Sequence, residues 1–233
     1  MLPFVLSLRA VLFDVDFTLV KPGPELSPEG YRRAGLRHGL ALDPARYDEA
    51  RGTALEDLQH HPELEHDEEI WIAFTERIVR GMGGDAEGAR EVAVEMTRAW
   101  ERSENFELYE DVYPVFEELR RHGLKIGLVS NTSRDLPTFV DHHRLDVDGS
   151  VSSGSFGWVK PHGSIFLAVL ERLGVRPEEA AMVGDSLADD IEGARALGIR
   201  AFLLDREDRH REWEGRLPDL YALPAALGLP RPG

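Results

Sequence analysis

Asp14-Val15-Asp16-Phe17-Thr18 sets two carboxylates two residues apart, directly after the apolar run Arg9-Ala10-Val11-Leu12-Phe13. Such a run reads as a buried strand, so both acids arrive together at its C-terminal end. In open parallel α/β sheets that end is where ligands bind. Two carboxylates so close repel unless a cation or a shared proton compensates, and a divalent metal answers that need. Three more groups fall at equivalent places. Ser130-Asn131-Thr132 follows Ile126-Gly127-Leu128-Val129, and Lys160-Pro161 precedes a helix after a Gly/Ser-rich loop. Gly184-Asp185-Ser186 follows Ala181-Met182-Val183, with Asp189 and Asp190 opening the next helix. Asp, Asp, Ser, Lys and Asp meeting at one sheet edge would make a site with a metal, a nucleophile and anion donors.

The elements that must deliver these groups follow a helix-and-strand alternation from about residue 108 onward. Strands are expected at 124–129, 147–151, 180–183 and 201–204, and helices at 114–122, 164–173 and 190–197. This order implies an α/β fold with a doubly wound, Rossmann-like parallel sheet to which the first strand also belongs. Residues 21–107 read instead as helix after helix. Ser27-Pro28 and Asp43-Pro44 are helix openings, an N-cap followed by proline. Ile70, Trp71, Phe74 and Ile78 share one face of a helix that Gly81 stops, and Asp85 caps the next. The expected division is therefore a core of residues 1–20 and 108–233 with a helical insert at 21–107. The stretch 217–227 is expected to close the core as one helix, and 230–233 to fray.

Composition narrows the chemistry. With no cysteine, disulfides, zinc–thiolate sites and thiol nucleophiles are excluded. The net charge of −16, with no basic stripe to offset it, argues against nucleic acid and anionic membranes as partners. The apolar start carries neither a basic leader nor room for a membrane span before Arg9, so a soluble cytoplasmic protein is the default expectation. Of 27 basic residues only Lys21, Lys125 and Lys160 are lysines, and Asn105 and Asn131 are the only asparagines. Lys160 and Asn131 thus depart from the chain's habit at a suspected site. Lys21 and Lys125 read as solvated lysines, Arg32, Arg33 and Arg37 as a solvated helix face, and His60-His61 and His142-His143 as surface pairs without ligand spacing.

Taken together, Asp14-x-Asp16-x-Thr18, Ser130, Lys160 and Gly184-Asp185 with the downstream acids resemble, in order, the four motifs of the haloacid-dehalogenase (HAD) superfamily of hydrolases. The match spans residues 9–204, and the helical insert resembles that family's helical cap. The resemblance implies a magnesium-dependent phosphatase acting on a small phosphate ester, with Asp14 as the nucleophile that forms an aspartyl-phosphate. Asp16 would protonate the leaving oxygen and then activate water. Ser130, Asn131, Lys160 and Thr18 would hold the phosphoryl group. Mg²⁺ would be bound by Asp14, Asp185 and the Asp16 carbonyl, with Asp190 as a supporting acid and Asp189 as a helix cap. Thr18 is equally read as capping its turn, and Thr132 as a helix N-cap.

Asp16 also separates the reactions within that family. Dehalogenases lack an acid there, because halide leaves without a proton, and phosphonatases use a cap lysine that only Lys21 could supply. Phosphomutases keep both acids and are the closest rival, although Thr18 stands where many of them have valine. A catalytically silent binding protein is the remaining alternative. Phe17 replaces the glycine usual in the family, which bears on how the loop leads into the insert.

Overall fold

The computed structural model describes residues 8–58, 62–85 and 87–230; the residues outside these ranges include His60, His61 and the expected fraying tail from 231. The chain divides into two compact units, one built from residues up to Lys21 and from Leu108 onward, the other running from Pro22 to Glu107.

The first unit is an α/β core. In chain order β1 (Ala10–Phe13) is followed by β2 (Val20–Pro22) and β3 (Phe106–Leu108), which form a two-stranded sheet of their own and whose residues fall partly in each unit. The main sheet adds β4 (Lys125–Ser130), β5 (Gly149–Ser152), β6 (Ala180–Gly184) and β7 (Arg200–Leu203) in the order β5-β4-β1-β6-β7. Every pairing is parallel, with Phe13 opposite Leu128 on one side and Val183 on the other. β1 is central, all four of its residues are fully buried, and the strand order runs outward from it in both directions. That reversal is the switch point at which such sheets open a crevice beyond their strand ends.

Helices cover both faces. In chain order the second unit holds α1 (Pro28–Arg37), α2 (Tyr47–Glu56), α3 (Glu68–Gly81) and α4 (Gly88–Trp100). The core continues with α5 (Val112–Arg121), α6 (Leu136–His142), the single turn α7 (Ser153–Phe156), α8 (Gly163–Leu173), α9 (Gly193–Ala196) and α10 (Leu223–Leu227). α8 packs Ile165, Phe166, Val169 and Leu173 onto Leu12, Val129, Val151 and Met182. Its approach is close enough that a Cβ on Gly127 would lie 2.9 Å from methyl groups of both Leu12 and Leu173, which would have to give way. On the opposite face Phe13 meets Phe116 of α5 at 5.1 Å between ring centres.

In the second unit α1 opens on Ser27, whose hydroxyl accepts the Gly30 N–H, with Pro28 at the first helical position. α3 ends at Gly81, and Asp85 accepts the N–H groups of Glu87 and Gly88 at the start of α4. Arg32, Arg33 and Arg37 lie on a solvated helix face, where they form exposed ion pairs with Glu29, Glu25 and Glu95 of the same unit.

Several local expectations are corrected. Residues 217–227 are not one helix. Leu217 bridges to Leu204, and only a 3₁₀ turn at Leu220–Ala222 and α10 follow. Lys125, read as solvated, is instead half-buried on the expected strand β4, and its ammonium donates to the Leu173 carbonyl at the end of α8. His142 and His143 stack edge to face, and His143 also packs on Phe139. Among the described residues no helix is long and apolar enough to cross a membrane.

Candidate active site

Asp14 leaves β1 with its N–H bonded to the Val183 carbonyl, so the ends of β1 and β6 are tied where the first acid emerges. The turn that follows is tight: Phe17 N–H reaches the Val20 carbonyl, and Leu19 and Val20 N–H both reach Val15. Phe17 takes φ +63°, the left-handed region that glycine occupies without strain and a bulky residue does not. The ring at this position therefore leaves the turn in a glycine-like conformation, at a cost in backbone strain.

At the centre of the site lies Lys160. Its ammonium is 2.5 Å from Asp14 Oδ1 and 2.6 Å from Asp190 Oδ1, and all three residues are almost wholly buried. Carboxylate oxygens of Asp14, Asp185 and Asp190 lie within 4.8 Å of one another. Burial raises the pKa of Asp14 well above the ordinary aspartate value, with Lys160 opposing and Asp190 and Asp185 adding to the rise. Burial likewise lifts Asp190 against the pull of Lys160. Asp185 is pushed up to about 7, by burial first and the neighbouring Asp190 second. Burial works against the charged Lys160, but the paired acids outweigh it and hold its pKa above the lysine norm. Lys160 and, 3.4 Å from Asp185, Arg209 face three crowded carboxylates whose charge burial leaves incompletely offset. An all-oxygen donor set of this kind fits a hard divalent cation such as Mg²⁺.

Asp190 reaches its place through a π-helical turn at Leu187–Glu192 that precedes α9, where a regular helix from 190 had been expected. Turns of this type recur at functional sites. Ser186 caps it by accepting the Asp189 N–H, so the cap is Ser186 and not Asp189. Both oxygens of Asp190 are engaged, one by Lys160 and the other by the Ser186 N–H at 3.0 Å.

Asn131 uses its whole amide on Lys160. Its Nδ2 donates to the Lys160 carbonyl at 3.0 Å, and its Oδ1 accepts the Lys160 N–H at 2.7 Å. The asparagine side chain thus positions the lysine from the neighbouring strand end. Ser130 is buried at the end of β4. Thr18 is also buried, but its hydroxyl caps nothing: it has no hydrogen-bond partner among the described residues, and only its carbonyl is held, by Arg206. Thr132 accepts the Arg134 N–H, while the N-cap of α6 is Asp135. Asp16 stands apart from the acid cluster, its carboxylate 3.0 Å from the buried Arg134. The sequence reading did not single out Arg134, and it also missed Arg209, which lies 3.4 Å from Asp185.

Gly184 adds a test of this packing. A Cβ there would sit 2.2 Å from Asp190 Oδ2 and 2.3 Å from its Cγ. Gly184→Ala must therefore push Asp190 off Lys160 and Ser186, and displacements of about 1 Å near reacting groups cost on the order of 10²-fold in rate. The expected result is a protein with activity reduced roughly to that extent and a lowered melting temperature, since displacing Asp190 loosens its buried ion pair with Lys160, read by steady-state kinetics and a melting curve.

The sequence matches the haloacid dehalogenase-like hydrolase family over residues 8–198, and the chain belongs to that family. It is 38% identical to a phosphoserine phosphatase of Thermus thermophilus, over 91% of this chain and 94% of that protein. It is 30% identical to a glyceraldehyde 3-phosphate phosphatase of Methanopyrus kandleri, over 91% and 90%. A crystal structure of a HAD phosphatase from Thermococcus onnurineus superposes with a TM-score of 0.64 at 28% identity, covering 97% of this chain and all of that one.

Proposed function

We propose that this protein is a magnesium-dependent phosphatase that hydrolyses a small phosphorylated metabolite through an aspartyl-phosphate on Asp14. The observation that carries the reading is the Lys160–Asp14 contact of 2.5 Å inside a buried acid cluster. Lys160 opposes the burial that raises the Asp14 pKa, and a bound cation would further favour the ionised, attacking form. The two relatives named above, each covering about nine-tenths of this chain, are by name phosphatases of small phosphate esters.

In this reading the Asp14 carboxylate attacks phosphorus in line, while Asp16 gives its proton to the leaving oxygen. The alcohol departs and an acyl phosphate remains on Asp14. Asp16 then takes a proton from water, whose oxygen attacks the same phosphorus and releases phosphate, restoring both acids. General acid–base assistance of this kind is worth roughly 10²–10⁴ in rate. Lys160 neutralises Asp14 and a phosphoryl oxygen together, and the Ser130 hydroxyl and nearby N–H groups hold the other oxygens. Mg²⁺, held by the Asp14 and Asp185 carboxylates and the Asp16 carbonyl, would supply charge neutralisation at the phosphoryl group. Asp190, with both oxygens taken, suits a supporting place behind that shell. We assign the helical unit the part of the family's cap, on its place between β1 and the rest of the core.

Screening the purified protein with Mg²⁺ against a panel of phosphorylated metabolites, O-phosphoserine among them, tests the function. Release of inorganic phosphate that chelation abolishes is expected. Isomerised sugar phosphate without release would make the protein a mutase, and inactivity on the whole panel would contradict catalysis.

The acid cluster also predicts how pH and metal act on stability. A carboxyl whose folded pKa is raised favours folding at low pH and loses that contribution as pH climbs through the raised value. For Asp185 the loss begins near 3.8 and is complete above about 7. Metal binding displaces those protons, so its benefit grows over the same range. Magnesium should thus raise the melting temperature more at pH 8 than at pH 6. An equal shift at both would count against a metal on these acids.

A further inference from the structure

Arg134 is first among the large fully buried side chains, at 1% exposure. A guanidinium cannot shed its charge, so burying one is costly unless its donors are met. Among the described residues the carboxylate it pairs with is that of Asp16, 118 positions away in the chain, at 3.0 Å from Nη1. The arginine is fixed from several sides. Its N–H is held by Thr132 Oγ1 at 3.1 Å, the next residue, Asp135, caps α6, and its guanidinium lies 5.4 Å from the centre of the buried Phe139 ring. Asp16 itself is partly exposed, with 21% of its side chain open, and it lies outside the cluster around Lys160.

From this arrangement we infer that Arg134 is a positioning residue that orients the Asp16 carboxylate for proton exchange with the leaving oxygen. The inference rests on the role proposed for Asp16 above. With its own position fixed on these sides, the guanidinium aims an N–H at one set point, Asp16 Oδ1, which an ammonium on a flexible stem does not. The turn after β4 thereby sets the aim of an acid on the turn after β1. Proton transfer depends steeply on such placement.

The test is the dependence of kcat/KM on leaving group, measured with phenyl phosphate and p-nitrophenyl phosphate, which are close in size. Phenoxide, whose conjugate acid has a pKa of about 10, needs a proton to leave, whereas the far more acidic nitrophenol does not. The ratio of the two kcat/KM values isolates phosphoryl transfer from the later water step. In Arg134→Met the phenyl phosphate value should fall at least tenfold more than the p-nitrophenyl phosphate value. Asp16→Asn should show the same selectivity more strongly, and the double variant should show no more than Asp16→Asn alone. Arg134→Lys, the fallback should the methionine variant fold poorly, should keep the selective loss, because the charge remains and the fixed donor does not. Equal losses on both substrates in the arginine variants, with Asp16→Asn still selective, would overturn the inference and leave the role of Asp16 standing. Absence of selectivity in Asp16→Asn would remove that role and the inference with it.

Discussion

Asp14→Asn is expected to give a folded protein whose phosphate release falls by roughly 10⁴-fold or more. Loss of an attacking group removes the covalent route altogether, and what survives is the binding contribution of the rest of the site. The fold should tolerate the change, because Lys160 keeps Asp190 at 2.6 Å and one of three crowded acids loses its charge. Burial already disfavours the ionised form of Asp14, so an amide of the same shape relieves an electrostatic cost while leaving the packing in place. Phosphate release over the substrate panel, alongside a melting curve within a few degrees of wild type, checks both halves. Activity retained within tenfold would mean that another group attacks.

Lys160→Met should damage stability and catalysis together, which distinguishes it from the nucleophile variant. The lysine is the cation bonded to both Asp14 and Asp190, and removing one partner of a buried ion pair costs about 3–5 kcal/mol. Activity should drop by at least about 10²–10³-fold, the scale of losing a fixed charge-stabilising donor. Lys160→Arg should not rescue either property, since a longer planar group replaces a compact ammonium in a site that is 2% exposed. The acids left behind have pKa values raised still further. Their penalty fades as they protonate, so the stability gap to wild type should narrow as pH falls. Urea denaturation at two pH values, with and without Mg²⁺, reads this directly. A stability gap independent of pH and metal would mean that the lysine acts through packing alone.

Much of this site was legible because Asp14, Ser130 and Asp185 each follow a short apolar run, and such runs announce buried strands. Asp14, Ser130 and Asp185 sit one residue past or at the ends of β1, β4 and β6, as the run boundaries implied. Lys160 and Asn131 stood out by rarity, and the structure joins them through a paired amide contact with the lysine main chain. Arg134 had no such signal. It is an arginine in a chain whose basic residues are almost all arginines, and its partner is distant in sequence. Burial and pairing of that kind are tertiary facts that periodicity cannot carry. The π-helical turn at Leu187–Glu192 escaped for a related reason, because six residues are too few to separate one helical pitch from another. Lys125 and the segment 217–227 were misread because hydrophobic patterning does not record where a side chain finds a carbonyl or where a strand end bridges.

A covalent bond between phosphorus and the carboxylate at position 14 can be caught chemically. The enzyme, mixed with a turned-over phosphate ester and Mg²⁺, is quenched in acid during steady state, reduced with borohydride and mapped by peptide mass spectrometry. An acyl phosphate at that position is reduced to homoserine, so the peptide containing Leu12, Phe13 and Val15 should carry homoserine at residue 14 only when substrate is present. Reduction at a different acid, or none while phosphate is being released, would contradict the mechanism.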